Sequence, residues 1–84
     1  MAKQKIELTP QTNVDAILDK IAWKFRDLDI NTIDGLKISW IDKWVHLRKS
    51  DTEPIISIYT EAKTEKLANE LAQQIIDIVK GMTN

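Results

Sequence analysis

The chain has 84 residues, enough for one domain that buries roughly 60–65% of its unfolded surface, so its core is small and it has no room for a second, catalytic domain. Twelve Lys and Arg against thirteen Asp and Glu give a net charge of −1, which excludes the basic excess of a general nucleic-acid binder. No cysteine is present, so disulfides and thiolate metal sites are excluded, no apolar run reaches the ~20 residues of a membrane span, and Met1–Lys5 lacks the apolar core of a signal peptide. The expectation is a soluble, cytoplasmic domain with no nucleic-acid or membrane partner.

Ile6 and Leu8 alternate within Lys3–Leu8 and read as a lone first strand, broken at Thr9-Pro10. Thr12-x-x-Asp15 resembles a capping box. Val14, Ile17, Leu18, Ile21, Ala22 and Phe25 then recur at helical spacing, predicting an amphipathic helix over 13–26 with Trp23 at the edge of its stripe. Residues 28–34 are ambiguous, with a short strand possible through Leu28, Ile30 and Ile33, and Asp34-Gly35 is a tight-turn signal.

Leu36, Ile38 and Trp40 alternate with Lys37 and Ser39, and Val45 and Leu47 alternate with Trp44, His46 and Arg48. A two-residue turn at Asp42-Lys43 pairs Ile41 with Trp44, Trp40 with Val45 and Ile38 with Leu47. Across the next connection, Arg48 pairs with Ile55, Leu47 with Ile56, Val45 with Ile58 and Trp44 with Tyr59. One sheet face is then apolar. The other collects Lys37, Ser39, Trp44, His46, Arg48, Ser57 and Tyr59. Thr64 caps a last helix whose stripe is Leu67, Ala68, Leu71, Ala72, Ile75, Ile78 and Val79, with Lys80 in its last turn and Gly81 at the C′ position. A strand, a helix, several strands with one apolar face and a helix make a two-layer α+β domain.

The chemistry concentrates in Arg48-Lys49-Ser50-Asp51-Thr52-Glu53-Pro54. A guanidinium, two hydroxyls, an ammonium and backbone N–H groups in one connection suit a phosphate oxyanion. From residue chemistry alone the plainer reading, a hydrophilic hairpin loop with a solvated Arg, is the favoured one. His46 is the only histidine and lacks partners at ligand spacing, so no metal site is read. Trp40 reads as core, and Trp44 beside Tyr59 as a surface for domain contact. No Gly-rich phosphate loop, catalytic triad or paired carboxylates are found, and no catalytic residue is assigned.

Asp34-Gly35-Leu36-Lys37-Ile38, the segment Trp44–Ile56 with its Arg-x-Ser-x-Thr-Glu-Pro element, and Tyr59–Thr64 ending in Glu-Ala-Lys-Thr resemble the C-terminal domain of the α-D-phosphohexomutases. That family includes phosphomannomutase, phosphoglucomutase and phosphoglucosamine mutase. The resemblance covers residues 34–64 and implies a TATA-binding-protein-like fold, β-α-β4-α, with an antiparallel sheet and two helices on one face. It implies that residues 1–84 are the fourth domain of a longer enzyme, an isomerase performing intramolecular phosphoryl transfer on hexose phosphates, and that this piece alone is inactive. The domain's part is to grip the substrate phosphate and close the cleft against its partner domains. Arg48, Ser50 and Thr52 would bind phosphate through side chains and Asp51 through its backbone, with Lys49 peripheral. Mg²⁺ and a hexose bisphosphate activator are implied for the full-length enzyme, held by loops outside this chain. Asp51 stands where the family usually has Gly or Asn, and Ser57 where many members have Arg; both departures imply weaker phosphate binding. A freestanding, non-catalytic phosphate-ligand or protein-interaction module is the alternative from another functional class.

Overall fold

The computed structural model describes residues 2–50 and 52–83, the side chain of Thr83 excepted. In chain order the elements are β1 (Ala2–Glu7), α1 (Val14–Lys24), β2 (Asp29–Asn31), β3 (Leu36–Ser39), β4 (Trp44–Lys49), β5 (Ile55–Glu61) and α2 (Glu65–Thr83). The five strands form one antiparallel sheet in the order β1-β5-β4-β3-β2. This is the β-α-β4-α arrangement expected of a TATA-binding-protein-like domain. The first strand finds its partner at the far end of the sequence: Ala2 pairs with Thr60 and Ile6 with Ile56.

Both helices cover one sheet face, α2 across β1 and β5 and α1 against β3. Ile38, Val45, Leu47, Ile56 and Ile58 point into this layer from the strands and are fully buried. They meet Ile17 and Ile21 of α1 and Leu71, Ile75 and Val79 of α2. Each such side chain contributes about 1.5–3 kcal/mol over leaving it exposed. The 11 residues of α1 fall below the ~12–15 that an isolated helix needs, so packing rather than propensity holds it. Among the described residues one polar side chain enters the layer: Thr60 is fully buried and its hydroxyl donates to the Ala68 carbonyl at 2.8 Å.

Several sequence expectations shift in detail. Asn13, not Thr12, caps α1, its Oδ1 accepting from the Ala16 N–H at 3.0 Å. Trp23 lies outside the core, 68% exposed, with the Arg26 guanidinium 4.2 Å from its ring centroid. The ambiguous segment contributes only the three residues of β2. Thr64 caps α2 as expected, accepting from the Leu67 N–H at 3.1 Å, but Gly81 lies within that helix instead of beyond it.

Both hairpin registers differ from the expected ones by two residues. Ser39, not Ile41, faces Trp44, and Ile38 faces Val45. The Trp40 N–H donates to the Lys43 carbonyl at 2.8 Å, closing a wider loop that leaves Ile41 fully exposed. Asp42-Lys43 lacks the Asn or Gly that a two-residue hairpin turn requires. Trp40 is carried beyond the strand end, where it packs edge-on against Phe25 at 5.8 Å. Across the next hairpin Arg48 faces Ser57, Leu47 faces Ile58, and Tyr59 stands opposite His46 rather than Trp44. Because a strand repeats every two residues, neither shift moves a side chain to the other face.

Candidate phosphate site at one end of the sheet

The β2–β3 turn, the β4–β5 loop and the start of α1 meet at one end of the sheet, as the antiparallel pairings and the Lys49–Asp15 contact require. The β4–β5 loop is anchored on two interior strands of the sheet. The Ser50 N–H donates to the Ile55 carbonyl at 2.9 Å, which carries the ladder one step beyond the strands. On the other side the Leu8 N–H donates to the Pro54 carbonyl at 2.7 Å, tying the loop to the end of β1.

Inside the loop Ser50 is the organiser. Its Oγ accepts from the Thr52 and Glu53 N–H groups, both at 3.3 Å, and lies 3.5 Å from Thr52 Oγ1. This is a Ser-based turn: a side-chain oxygen substitutes for a backbone acceptor and gathers successive N–H groups on one side. The Ser50 and Thr52 hydroxyls are thereby placed together. Asp51, expected to contribute its backbone, lies outside the described residues.

Arg48 and Lys49 leave the sheet on opposite faces. Arg48 points to the open face, where its Nη2 lies 3.6 Å from Asp34 Oδ1 with both side chains more than half exposed. Lys49 points to the helix side and clasps the Asp15 carboxylate at 2.9 and 3.1 Å, bridging β4 to the first turn of α1. The structure therefore brings Arg48, Ser50 and Thr52 to one end and pairs Lys49 with Asp15. A groove of about 480 Å³ runs beside the loop between α1 and the β2–β3 turn. Asp15, Asp19 and Asp34 line it together with Arg48 and Lys49.

The Asp34 contact depends on the turn that carries it. Gly35 adopts φ +78, the left-handed region that glycine alone enters without penalty. Its backbone lies against Leu47 and Arg48 of β4. His46, next on the open face, donates its Nε2–H to the Asp34 carbonyl. Its ring tilts against Tyr59 across the hairpin, centroids 6.4 Å apart. The sequence marks Asp34-Gly35 as a turn, but it gives no sign that the Asp34 carboxylate reaches Arg48 or that His46 pins it. Those contacts follow only from the true β3–β4 register. Among the described residues no group of three or more His, Cys, Asp or Glu is placed to hold a metal ion, and no helix is long and apolar enough to cross a membrane.

Comparison with known proteins agrees with this architecture. The chain is 42% identical over 83 residues to a protein named phosphoglucosamine/phosphogalactosamine mutase from Sulfurisphaera tokodaii, covering 96% of this chain and 18% of that protein. It is 39% identical to a probable phosphoglucosamine mutase from Pyrococcus horikoshii, covering 82% of this chain and 15% of the relative. A phosphomannomutase from Methanocaldococcus jannaschii is 33% identical, with 75% and 14% covered. The chain thus spans less than a fifth of the length of these relatives. Residues 2–78, from the edge strand β1 through most of α2, match the family described as phosphoglucomutase/phosphomannomutase, C-terminal domain. With the sheet order, the two-helix layer and the Arg-Ser-Thr loop all in place, the chain belongs to that family of phosphohexomutase C-terminal domains.

Proposed function

We propose that this chain binds the phosphate of a hexose phosphate through Arg48, Ser50, Thr52 and the backbone around Asp51, as the fourth, cleft-closing domain of a phosphohexomutase. The observation that carries the reading is the Ser50-centred loop, which places two hydroxyls together at the strand end from which Arg48 projects. A guanidinium fork beside two hydroxyl donors matches the several acceptor oxygens of a phosphate dianion.

In the parent enzyme the reaction is phosphoryl transfer within a sugar phosphate, and the names of the relatives point to hexoses and hexosamines. Mg²⁺, held by the other domains, would supply charge neutralisation for the transferring group. This domain's contribution is positional: it holds the phosphate that is not reacting and, by closing, excludes water from the cleft. The loop is fixed to the sheet at Ser50, and through Pro54 to β1.

Amide NMR titration of the chain with glucose 1,6-bisphosphate tests the reading. Shifts are expected at residues 48–54 and at the β2–β3 turn. Arg48→Ala is expected to weaken binding about ten- to hundredfold, the equivalent of one charge-assisted hydrogen bond. Saturating bisphosphate without shifts in this region removes the proposal. Supplied with sugar phosphate, bisphosphate and Mg²⁺, the 84-residue chain is expected to show no mutase turnover, and measurable turnover overturns its assignment as a positioning domain.

A further inference from the structure

We infer that Asp34 is the resident anion of the phosphate site: its carboxylate occupies the Arg48 guanidinium while no phosphate is bound and gives it up when phosphate arrives. This inference rests on the phosphate-binding reading above. Asp34 Oδ1 lies 3.6 Å from Arg48 Nη2, too far for a hydrogen bond but close enough for Coulomb attraction. The two side chains are 69% and 53% exposed, so the pair is weak and readily exchanged. A phosphate dianion offers more charge and more acceptor oxygens than one carboxylate, and it can take two guanidinium N–H donors at hydrogen-bond distance.

The carboxylate is held in place from behind. Gly35, in its left-handed conformation, packs its backbone against Leu47 and Arg48, and His46 Nε2–H donates to the Asp34 carbonyl. The turn is therefore fastened to β4 immediately after the Asp34 side chain, through the Asp34 carbonyl and Gly35. Asp15 clasps Lys49 at 2.9 Å, while Asp34 faces Arg48. Asp34 acts on the ligand through Arg48 and is a positioning residue. It keeps the guanidinium near its working place, and any incoming anion must compete with it. Such a site favours a dianionic phosphate over a single carboxylate.

The test is to titrate the wild-type chain, Asp34→Asn and Asp19→Asn with inorganic phosphate and with glucose 1,6-bisphosphate at low ionic strength. Amide shifts report binding, and ¹⁵N relaxation of the Arg48 Nε–H reports the guanidinium. Asp19 lines the same groove, so Asp19→Asn removes the same charge and leaves the Arg48 pair intact. Asp34→Asn is expected to tighten phosphate binding about two- to fivefold, the range of an exposed ion pair. The gain should exceed that of Asp19→Asn and shrink with added salt. In the ligand-free protein Asp34→Asn should loosen the Arg48 Nε–H. Binding by Asp34→Asn where the wild type fails also supports exchange. Equal affinity in wild type and Asp34→Asn, weaker binding by Asp34→Asn, or an equal gain from Asp19→Asn overturns the inference and leaves the phosphate site standing. Failure of both wild type and Asp34→Asn to bind overturns both.

Discussion

Gly35 and Leu47 approach so closely that a Cβ on Gly35 would stand 2.3 Å from the Leu47 carbonyl oxygen and 3.3 Å from both Cα and Cγ of Arg48. Two penalties coincide there, a left-handed backbone and a collision with main chain that cannot rotate away. Gly35→Ala is expected to cost about 2–4 kcal/mol, from roughly 1–2 for the left-handed conformation and the rest for the clash. Urea unfolding measures it. A loss below about 1 kcal/mol would mean that the turn relaxes away from β4 freely, and the Asp34–Arg48 contact with it.

Gly81 is the opposite case. It sits inside α2 with nothing within 4 Å of where a Cβ would be. Gly81→Ala is expected to stabilise the domain by about 0.5–1 kcal/mol, by lowering the entropy of the unfolded chain and raising helix propensity. An increase in the urea midpoint at unchanged slope is the expected result.

Thr60 carries the one buried polar side chain of the sheet–helix layer among the described residues. Its hydroxyl donates to the Ala68 carbonyl at 2.8 Å and so ties β5 to the first turns of α2. Thr60→Val keeps the shape and removes the donor, and about 1 kcal/mol of stability should go with it. Hydrogen exchange should rise selectively in the first turns of α2. A uniform change across the domain would argue against a local tie.

Ser50→Ala removes the oxygen that accepts from the Thr52 and Glu53 N–H groups. The loop is exposed, so global stability should fall by less than about 1 kcal/mol. Amide exchange at Thr52 and Glu53 should quicken, and phosphate binding should weaken as far as in Arg48→Ala. Ser50→Thr, which keeps the hydroxyl, should restore most of the binding. Equal failure of both variants would assign Ser50 a steric role.

The sequence makes the layers of this domain readable and leaves its fine alignment open. Ile17 and Ile21 on α1, and Leu71, Ile75 and Val79 on α2, declare their faces through helical spacing. Val45, Leu47, Ile56 and Ile58 declare theirs by alternation, which survives any even change of register. That same parity hides the register itself, so Trp44 rather than His46 is expected opposite Tyr59. The β1–β5 pairing is invisible locally because its partners are far apart in the chain. Arg48, Ser50 and Thr52 stand out through a short motif, whereas the Asp34–Arg48 contact needs the Gly35 turn laid correctly against β4. Thr60 is lost in an otherwise apolar alternation, since nothing in its neighbours tells that a helix carbonyl waits above it.

The pairing of β1 with β5 also determines how this domain can be handled and made. A fragment beginning after Glu7 would keep both helices and the phosphate loop but leave β5 as a bare sheet edge, its backbone donors and acceptors open to another copy. It would also lose the Leu8–Pro54 anchor if cut one residue later. During synthesis the sheet cannot be completed until Glu61 has left the ribosome, so its first-made strand must wait, unpaired, for nearly the whole domain. Aggregation during expression is then expected to track how well that waiting strand is shielded, more than the strength of the finished core.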